Sequence, residues 1–337
     1  MATIKDVASE AKVSIATVSS TLNGTKYVSA ELQKRVYEAV EKVGYIPSVA
    51  AQSLKKGSAK IIGLILPDIT NLFFAVLARA VEKTASAQGY TVLLCNSDQD
   101  QAKENDFLRL LKTHSVAGLI LAPASSGKDY GEKLAKTVNT PVVLVDRKTE
   151  GVPWDFVVSG NTEGAQRAVT HLIECGHRKI AGVFGLAHVS TVSDRLSGFK
   201  NALRSANLEI SSKLIAVDCN STEKARLAAQ SILNMPDRPT ALFASNNQAL
   251  QGILAAIKNH GLKCPKDISV TGFDGMEWAE LLDPPMTTVE QAAAEMGGQA
   301  VNILIQRFQG SSAPTQEIVL PTQFFVRGSS APPQASA

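Results

Sequence analysis

The sequence predicts an N-terminal all-α head with a helix-turn-helix and a hinge helix, then an α/β body of two doubly wound parallel-sheet lobes. Three observations lead there. Residues 3–44 carry three short apolar stripes of helical period, broken by capping and glycine residues. Residues 47–54 are a proline followed by about two turns of helix formers. From Ile61 onward, short apolar runs alternate with amphipathic stretches, the pattern of strand–helix units on a parallel sheet. The predicted units are 1–46 (head), 47–60 (hinge helix and linker), 61–328 (body) and 329–337, a Ser/Ala/Pro-rich tail expected to be disordered.

In the head, Thr3-Ile4-Lys5-Asp6 is a capping box: Thr3 can cap the first helix and Asp6 can return the bond. Ile4, Val7, Ala8 and Ala11 then form one buried stripe. Val13-Ser14 breaks it, and Ser14 can cap a second helix whose inner face is Val18 and Leu22. Two short helices joined by a tight turn make a helix-turn-helix. A third helix begins at Ser29, is lined by Leu32, Val36, Val40 and Val43, and ends at Gly44. The same pattern fits a plain three-helix bundle. Two features favour nucleic acid. Residues 1–60 hold nine Lys/Arg and five Asp/Glu, a net +4 against +3 for the whole chain, so the body is close to neutral. The outward face of the second helix (Ile15, Ala16, Thr17, Ser19, Ser20) is small or hydroxylated, with no acid to repel phosphate. Hydroxyls at a helix N-terminus suit phosphate, and first-turn side chains can reach base edges.

These residues carry a specific resemblance. Thr3-Ile4-Lys5-Asp6-Val7-Ala8, Val13-Ser14-x-x-Thr17-Val18-Ser19, Leu22-Asn23, Val28-Ser29, Gly44-Tyr45-x-Pro47 and Ala51-x-Ser53-Leu54 stand in this order. The chain thereby resembles the lactose-repressor/galactose-repressor (LacI/GalR) family. The resemblance implies a transcription regulator of repressor type, acting as a homodimer on double-stranded DNA with a near-palindromic operator. It puts Ile15, Ala16 and Ser20 at base-reading positions. It puts Thr3, Ser14, Thr17, Ser19, Asn23, Tyr27 and Ser29 at phosphate-contacting positions. Ile15 and Ala16 cannot make bidentate hydrogen bonds, so their readout would be apolar, for example toward thymine methyls.

An isolated helix as short as the hinge is marginal in water and is expected to fold only when supported. On its residues alone the segment reads equally well as a linker with Leu54 docked on the body. The resemblance implies that paired hinge helices enter the minor groove, with Leu54 wedged between base steps and Lys55 and Lys56 near phosphates.

Candidate strands of the body are 61–66, 91–95, 118–121, 142–145, 179–184, 214–217, 241–243 and 269–272, with helices such as 74–88, 101–113, 164–175 and 248–260 between them. Strand ends in such folds face a cleft where ligands bind. The body is similar to the family's effector domain and, through it, to periplasmic sugar-binding proteins. That likeness implies three crossings between lobes, near Gly160, Glu290–Gln291 and Pro321. One lobe is then 61–159 plus 292–320, the other 160–290 plus 321–328.

Asn71, Phe73 and Phe74 follow the first strand, and Asp146 and Arg147 the fourth. Arg195 lies in Ser193-Asp194-Arg195-x-x-Gly198-Phe199; Asn246, Asp274 and Gln291 follow later strands. All match sugar-contacting positions of related pentose-binding proteins. The chemistry agrees: aromatic rings suit the C–H faces of a sugar, and forked polar groups suit its hydroxyls. Read singly, one of Phe73 and Phe74 is expected in the core, and Asp146 and Arg147 can be a surface ion pair. The implied effector is a sugar or sugar acid of pentose, gluconate or ketogluconate type. Leu72 stands where the family has proline, and Asn220 falls near where pentose binders place an aromatic, which suggests a more polar ligand. A purine effector fits less well, because the purine repressors that the chain also resembles have an aromatic where Arg147 stands.

The 337 residues are 45% apolar and 19% charged, the composition of a globular protein of two or three units. No apolar run is long enough to span a bilayer, and Met1–Asp6 is too polar for a signal peptide, so a cytoplasmic protein without membrane partners is expected. The four cysteines lie more than forty residues apart, without a C-x-x-C pair, and are expected as reduced thiols. No phosphate loop, H-E-x-x-H or G-x-S-x-G motif occurs, and the histidines lack metal-ligand spacing. No catalytic residue, metal or cofactor is therefore expected. The alternative is a sugar-binding protein or sugar enzyme whose N-terminal helices are structural.

Overall fold

The computed structural model describes residues 2–24, 26–45, 60–275 and 277–334. Of the hinge segment only Lys60 is among them; Leu54, Lys55 and Lys56 lie outside the described residues. The chain divides into two compact units, 1–59 and 60–337.

The first unit holds α1 (Ile4–Ala11), α2 (Ile15–Asn23) and α3 (Ala30–Val43). Val7, Ala8, Ala11, Val18, Val36 and Ala39 make its core. The Asp6 carboxylate accepts the Thr3 N–H (2.7 Å) and hydroxyl (2.8 Å). These two bonds, the backbone one first, hold Asp6 below the usual carboxylate range. Lys12 leaves α1 in the left-handed region at φ 52°. Ser14 Oγ then caps α2 by accepting the Thr17 N–H at 3.0 Å. Arg35 Nη2 donates to the Ala11 carbonyl at 2.6 Å, tying α3 to the end of α1.

The second unit is built on two six-stranded sheets. The first contains β1 (Ile61–Leu66), β2 (Thr91–Asn96), β3 (Gly118–Leu121), β4 (Val142–Val145) and β5 (Asp155–Ser159). The second contains β6 (Ile180–Val183), β7 (Ile215–Ala216), β8 (Ala241–Ala244), β9 (Ser269–Phe273) and β10 (Thr287–Glu290). Late in the chain, β11 (Glu317–Leu320) joins the edge of the first sheet beside β5, and β12 (Gln323–Phe325) joins the second beside β10. The strand orders are β11-β5-β4-β3-β1-β2 and β12-β10-β9-β8-β6-β7. Every pairing is parallel except β10 with β12.

The chain passes between lobes after β5, after β10 and between β11 and β12, so Gly160, Gln291 and Pro321 are connecting residues. Helix Ala293–Phe308 returns to the first lobe and packs on helix Leu72–Ala87. β1, β3 and β4 are apolar throughout because helices cover both faces of the sheet. β5, β10, β11 and β12 fall outside the eight strands read from apolar runs. β5 opens on Asp155 and β10 on two threonines, while β11 and β12 are short edge strands of mixed exposure.

The tail corrects an expectation. Residues 329–334 are described and ordered against the second lobe, although their composition reads as disorder. Ser329 is fully buried; its hydroxyl donates to the Val270 carbonyl (2.7 Å) and accepts the Thr287 N–H (2.8 Å). His177 Nε2 donates to the Ala331 carbonyl at 3.0 Å, and Ser330 pairs with His171 at 2.8 Å. Small hydroxylated residues here complete backbone groups of β9 and β10, which composition does not reveal. Residues 335–337 lie outside the described ones. No helix among the described residues is long and apolar enough to cross a membrane.

Candidate functional site

The strand ends of both lobes meet at one cleft, whose empty space including its mouth is about 630 Å³. Asn71, Phe73, Phe74, Asp146, Arg147, Arg195, Asn246, Asp274 and Gln291 all line it.

Helix starts position the first members. Asn71 caps helix Leu72–Ala87, its Oδ1 accepting the Phe73 N–H at 3.1 Å and, across the cleft, the Asn247 side-chain amide at 3.1 Å. Asn246 caps helix Asn247–Asn259 through the Ala249 N–H at 2.8 Å. Phe73 and Phe74 meet edge to face with centroids 5.1 Å apart. Both are buried in the first lobe's core, where the sequence reading expected only one of the two.

Asp146 and Asp274 occupy corresponding places, each just after the third strand of its sheet, with φ 63° and 65°. Aspartate tolerates this left-handed region better than most residues. Asp146 and Arg147 are 5% and 8% exposed, so the surface ion pair does not hold. Their contact is 3.5 Å, and Arg195 lies 3.4 Å from Asp274. Gln291 Nε2 donates to Asp274 Oδ1. Burial pushes Asp146 up to about 6; Arg147 and then Arg195 pull it back down, and Asp274 adds to the rise. Burial lowers Arg147, while Asp146 and Glu104 oppose that shift.

Sequence reasoning missed several neighbours. Asp68, Gln99, Thr191 and Gln248 also line the cleft. Asn161 Oδ1 and the Ser245 carbonyl accept from Arg195 at 2.8 and 2.7 Å. Asn161 carried one usable signal, since it directly follows the Gly160 crossing. Two residues of the cleft lining carry buried atoms without a well-formed hydrogen bond, Gln291 Oε1 and Arg147 Nε, and so do Asn247 Oδ1 and Ser245 Oγ on either side of Asn246. Such atoms can take up the hydroxyls of a small polar molecule. Among the described residues no group of three or more His, Cys, Asp or Glu is arranged to hold a metal.

In the head, Thr3, Ser14, Ile15, Ala16 and Tyr27 are exposed, Ile15 at 45% and Tyr27 at 95%. Thr17, Ser19, Ser20, Asn23 and Ser29 are half-buried. Thr17 Oγ1 shares a 2.9 Å hydrogen bond with Ser14, and Asn23 Nδ2 donates to the Ser19 carbonyl at 2.8 Å. The helix thus presents hydroxyls and an exposed isoleucine at its N-terminal end.

The profile for bacterial regulatory proteins of the lacI family matches residues 3–48, and that for a periplasmic binding protein-like domain matches residues 169–330. The HTH-type transcriptional repressor PurR of Aliivibrio salmonicida is 37% identical over 312 residues, covering 92% of this chain and 93% of that protein. The chain belongs to the lacI family of bacterial regulatory proteins. The ribose operon repressor of Halalkalibacterium halodurans is 38% identical over 328 residues, 97% of this chain and 96% of the relative. Among solved structures, the lac repressor dimer bound to operator and an anti-inducer matches with a TM-score of 0.85 at 25% identity, covering 98% and 99% of the two chains. This lacI-family protein is a DNA-binding transcriptional repressor, and its relatives are repressors rather than enzymes. The alternative of a sugar enzyme with structural N-terminal helices falls.

Proposed function

We propose that this repressor binds a sugar-class effector in the interlobe cleft and that the effector sets its affinity for a near-palindromic operator. The convergence of two Asp–Arg pairs and an aromatic pair on one cleft carries the reading. A sugar needs apolar faces beside directional donors and acceptors, and the unpaired buried atoms supply the latter. The ribose operon repressor relative, with a pentose in its name, supports the same class. Two arginines also suit a sugar acid of gluconate or ketogluconate type. A purine finds less: Phe73 and Phe74, the aromatic residues that line the cleft, are both packed in the first lobe's core.

On the DNA side, Ile15, Ala16 and Ser20 would face bases, and Thr3, Ser14, Thr17, Ser19, Asn23, Tyr27 and Ser29 phosphates. Leu54 would act in the minor groove, with Lys55 near phosphates. Pairing into a homodimer is supported by exposed Leu93 and Leu94 on β2, the open edge of the first sheet. The protein would work in the cytoplasm, on the chromosome. Closure of the cleft by effector would bias the hinge between ordered and disordered states, and the coupling would be reciprocal.

A thermal-shift screen against sugars, sugar acids and purines tests the effector, followed by operator binding with and without each stabiliser. A sugar that raises the melting temperature and changes operator affinity is expected; stabilisation by purines alone overturns the reading. Leu54→Ala is expected to weaken operator binding at least tenfold, about 1.4 kcal/mol, and non-specific DNA binding little. Equal losses on both DNAs in a mobility assay would sink the wedge.

A further inference from the structure

Behind the cleft lies a buried pair that the sugar-contact pattern does not include. Glu104 is fully buried in the first turn of helix Gln101–Thr113. Its Oε1 accepts the Tyr130 hydroxyl, and its Oε2 accepts the Ala124 N–H at 2.9 Å. Tyr130 stands on helix Lys128–Thr137, so the pair ties two helices to the loop at 122–126. The Pro123 carbonyl of that loop accepts from Arg147 Nη1 at 3.3 Å. Arg147 is otherwise loosely held: Nη2 donates to Gln99 at 3.4 Å, and Nε faces Asp146 Oδ2 at 3.5 Å without a well-formed hydrogen bond. A buried carboxylate is a poor way to stabilise a fold, because its desolvation rivals its attractions. Glu104 does two other things. It fixes the carbonyl that Arg147 rests on, and it adds a carboxylate beside Arg147 where Asp146 and Asp274 already pair with the two arginines and Asp68 lines the same cleft. Burial raises its proton affinity, while Tyr130, the Ala124 amide and the charge of Arg147 oppose the rise.

We propose that Glu104, held by Tyr130, is a positioning residue behind Arg147 that makes the cleft prefer an uncharged sugar to the corresponding sugar acid. The proposal rests on the sugar reading above. A ligand carboxylate entering beside Arg147 meets the cleft carboxylates of Asp68, Asp146 and Asp274, with Glu104 behind Arg147, against two guanidiniums. An uncharged polyol escapes that repulsion and still takes the spare N–H groups of Arg147 through its hydroxyl oxygens.

The test is calorimetry of D-ribose and D-ribonate with the full chain, as wild type, Glu104→Gln and Tyr130→Phe. Glutamine keeps the shape and can still accept the Ala124 N–H. Wild type is expected to prefer ribose. Glu104→Gln is expected to tighten ribonate about tenfold and leave ribose within about threefold. Tyr130→Phe moves the ratio the same way by less, and it decides the matter if Glu104→Gln does not fold. Equal losses for both ligands, with the ratio unchanged, mark the pair as structural and overturn the proposal. Inorganic phosphate gives a second readout that needs no sugar. It should raise the melting temperature of Glu104→Gln more than that of wild type, and this gain should vanish when Arg147→Gln is added. Absence of the gain also overturns the proposal. If wild type binds neither ribose nor ribonate, the sugar reading fails and the phosphate series still decides on Glu104.

Discussion

Arg195 in the second lobe and Arg147 in the first follow one plan. Each guanidinium stands beside the left-handed aspartate that ends the third strand of its sheet. Their surroundings differ. Arg195 donates to Asn161 at 2.8 Å and to the Ser245 carbonyl at 2.7 Å, and it lies 3.8 Å from the centroid of the Phe273 ring. Arg147 has bonds of 3.3 and 3.4 Å, an Nε that faces Asp146 Oδ2 at 3.5 Å without a well-formed hydrogen bond, and a ring at 5.9 Å. Charge-assisted bonds are strongest when short and well aligned. Arg195 therefore works as a strut between a lobe crossing and the end of β8. Arg147 keeps its capacity to donate.

Arg195→Ala should break this comparison most visibly. It leaves the buried Asp274 charge with only Gln291 and strips Asn161 Oδ1 of its donor, a loss of about 3–5 kcal/mol in urea unfolding. A loss below about 1 kcal/mol would mean that the two arms are equivalent after all. Next comes the charge on the looser side. The Asp146 carboxyl, between Arg147, Arg195 and Asp274, holds its proton up to about 6 instead of the ordinary 3.8. The folded state then binds the proton more readily than the unfolded one, so this group's contribution to stability falls as pH rises through that interval. Wild type should lose about 2 kcal/mol relative to Asp146→Asn between pH 4 and 6.5, and nothing further above it. Urea midpoints that run parallel for both proteins across the window would remove Asp146 as a buried titrating group. Ser329→Ala is a control that touches only the second lobe. It breaks two buried hydrogen bonds and should cost about 1–2 kcal/mol without altering the ratio of effector affinities.

The same contrast explains what could be read without coordinates. Asp146 is legible because it is the first polar residue after the wholly apolar β4, a position that opens onto a cleft in a parallel sheet. Asn71 and Asn246 are legible for a related reason, as caps of helices that follow strands. Glu104 is not: on its own helix it looks like any first-turn acid that suits the macrodipole. Its meaning comes from Tyr130, twenty-six residues away, and from Arg147. Ser329 escapes notice because composition describes what a segment can bury, not which backbone groups elsewhere need it. β11 and β12 escape because edge strands of four and three residues carry too little periodicity.

The smallest change in stability should come from Arg147→Lys. Lysine keeps the charge beside Asp146 and Glu104, so no carboxylate is left bare. It loses the planar fork, and with it the geometry that can serve two hydroxyls at once. Because Arg147 makes only long bonds to the protein, the cost in unfolding should be about 1 kcal/mol or less. Because those donors are the ones left for a ligand, effector affinity should fall about tenfold. Arg195→Lys should show the opposite split, with stability falling first. If the two lysine variants give the same ratio of stability loss to affinity loss, the arms do not differ in role, and the looseness of Arg147 has no bearing on binding.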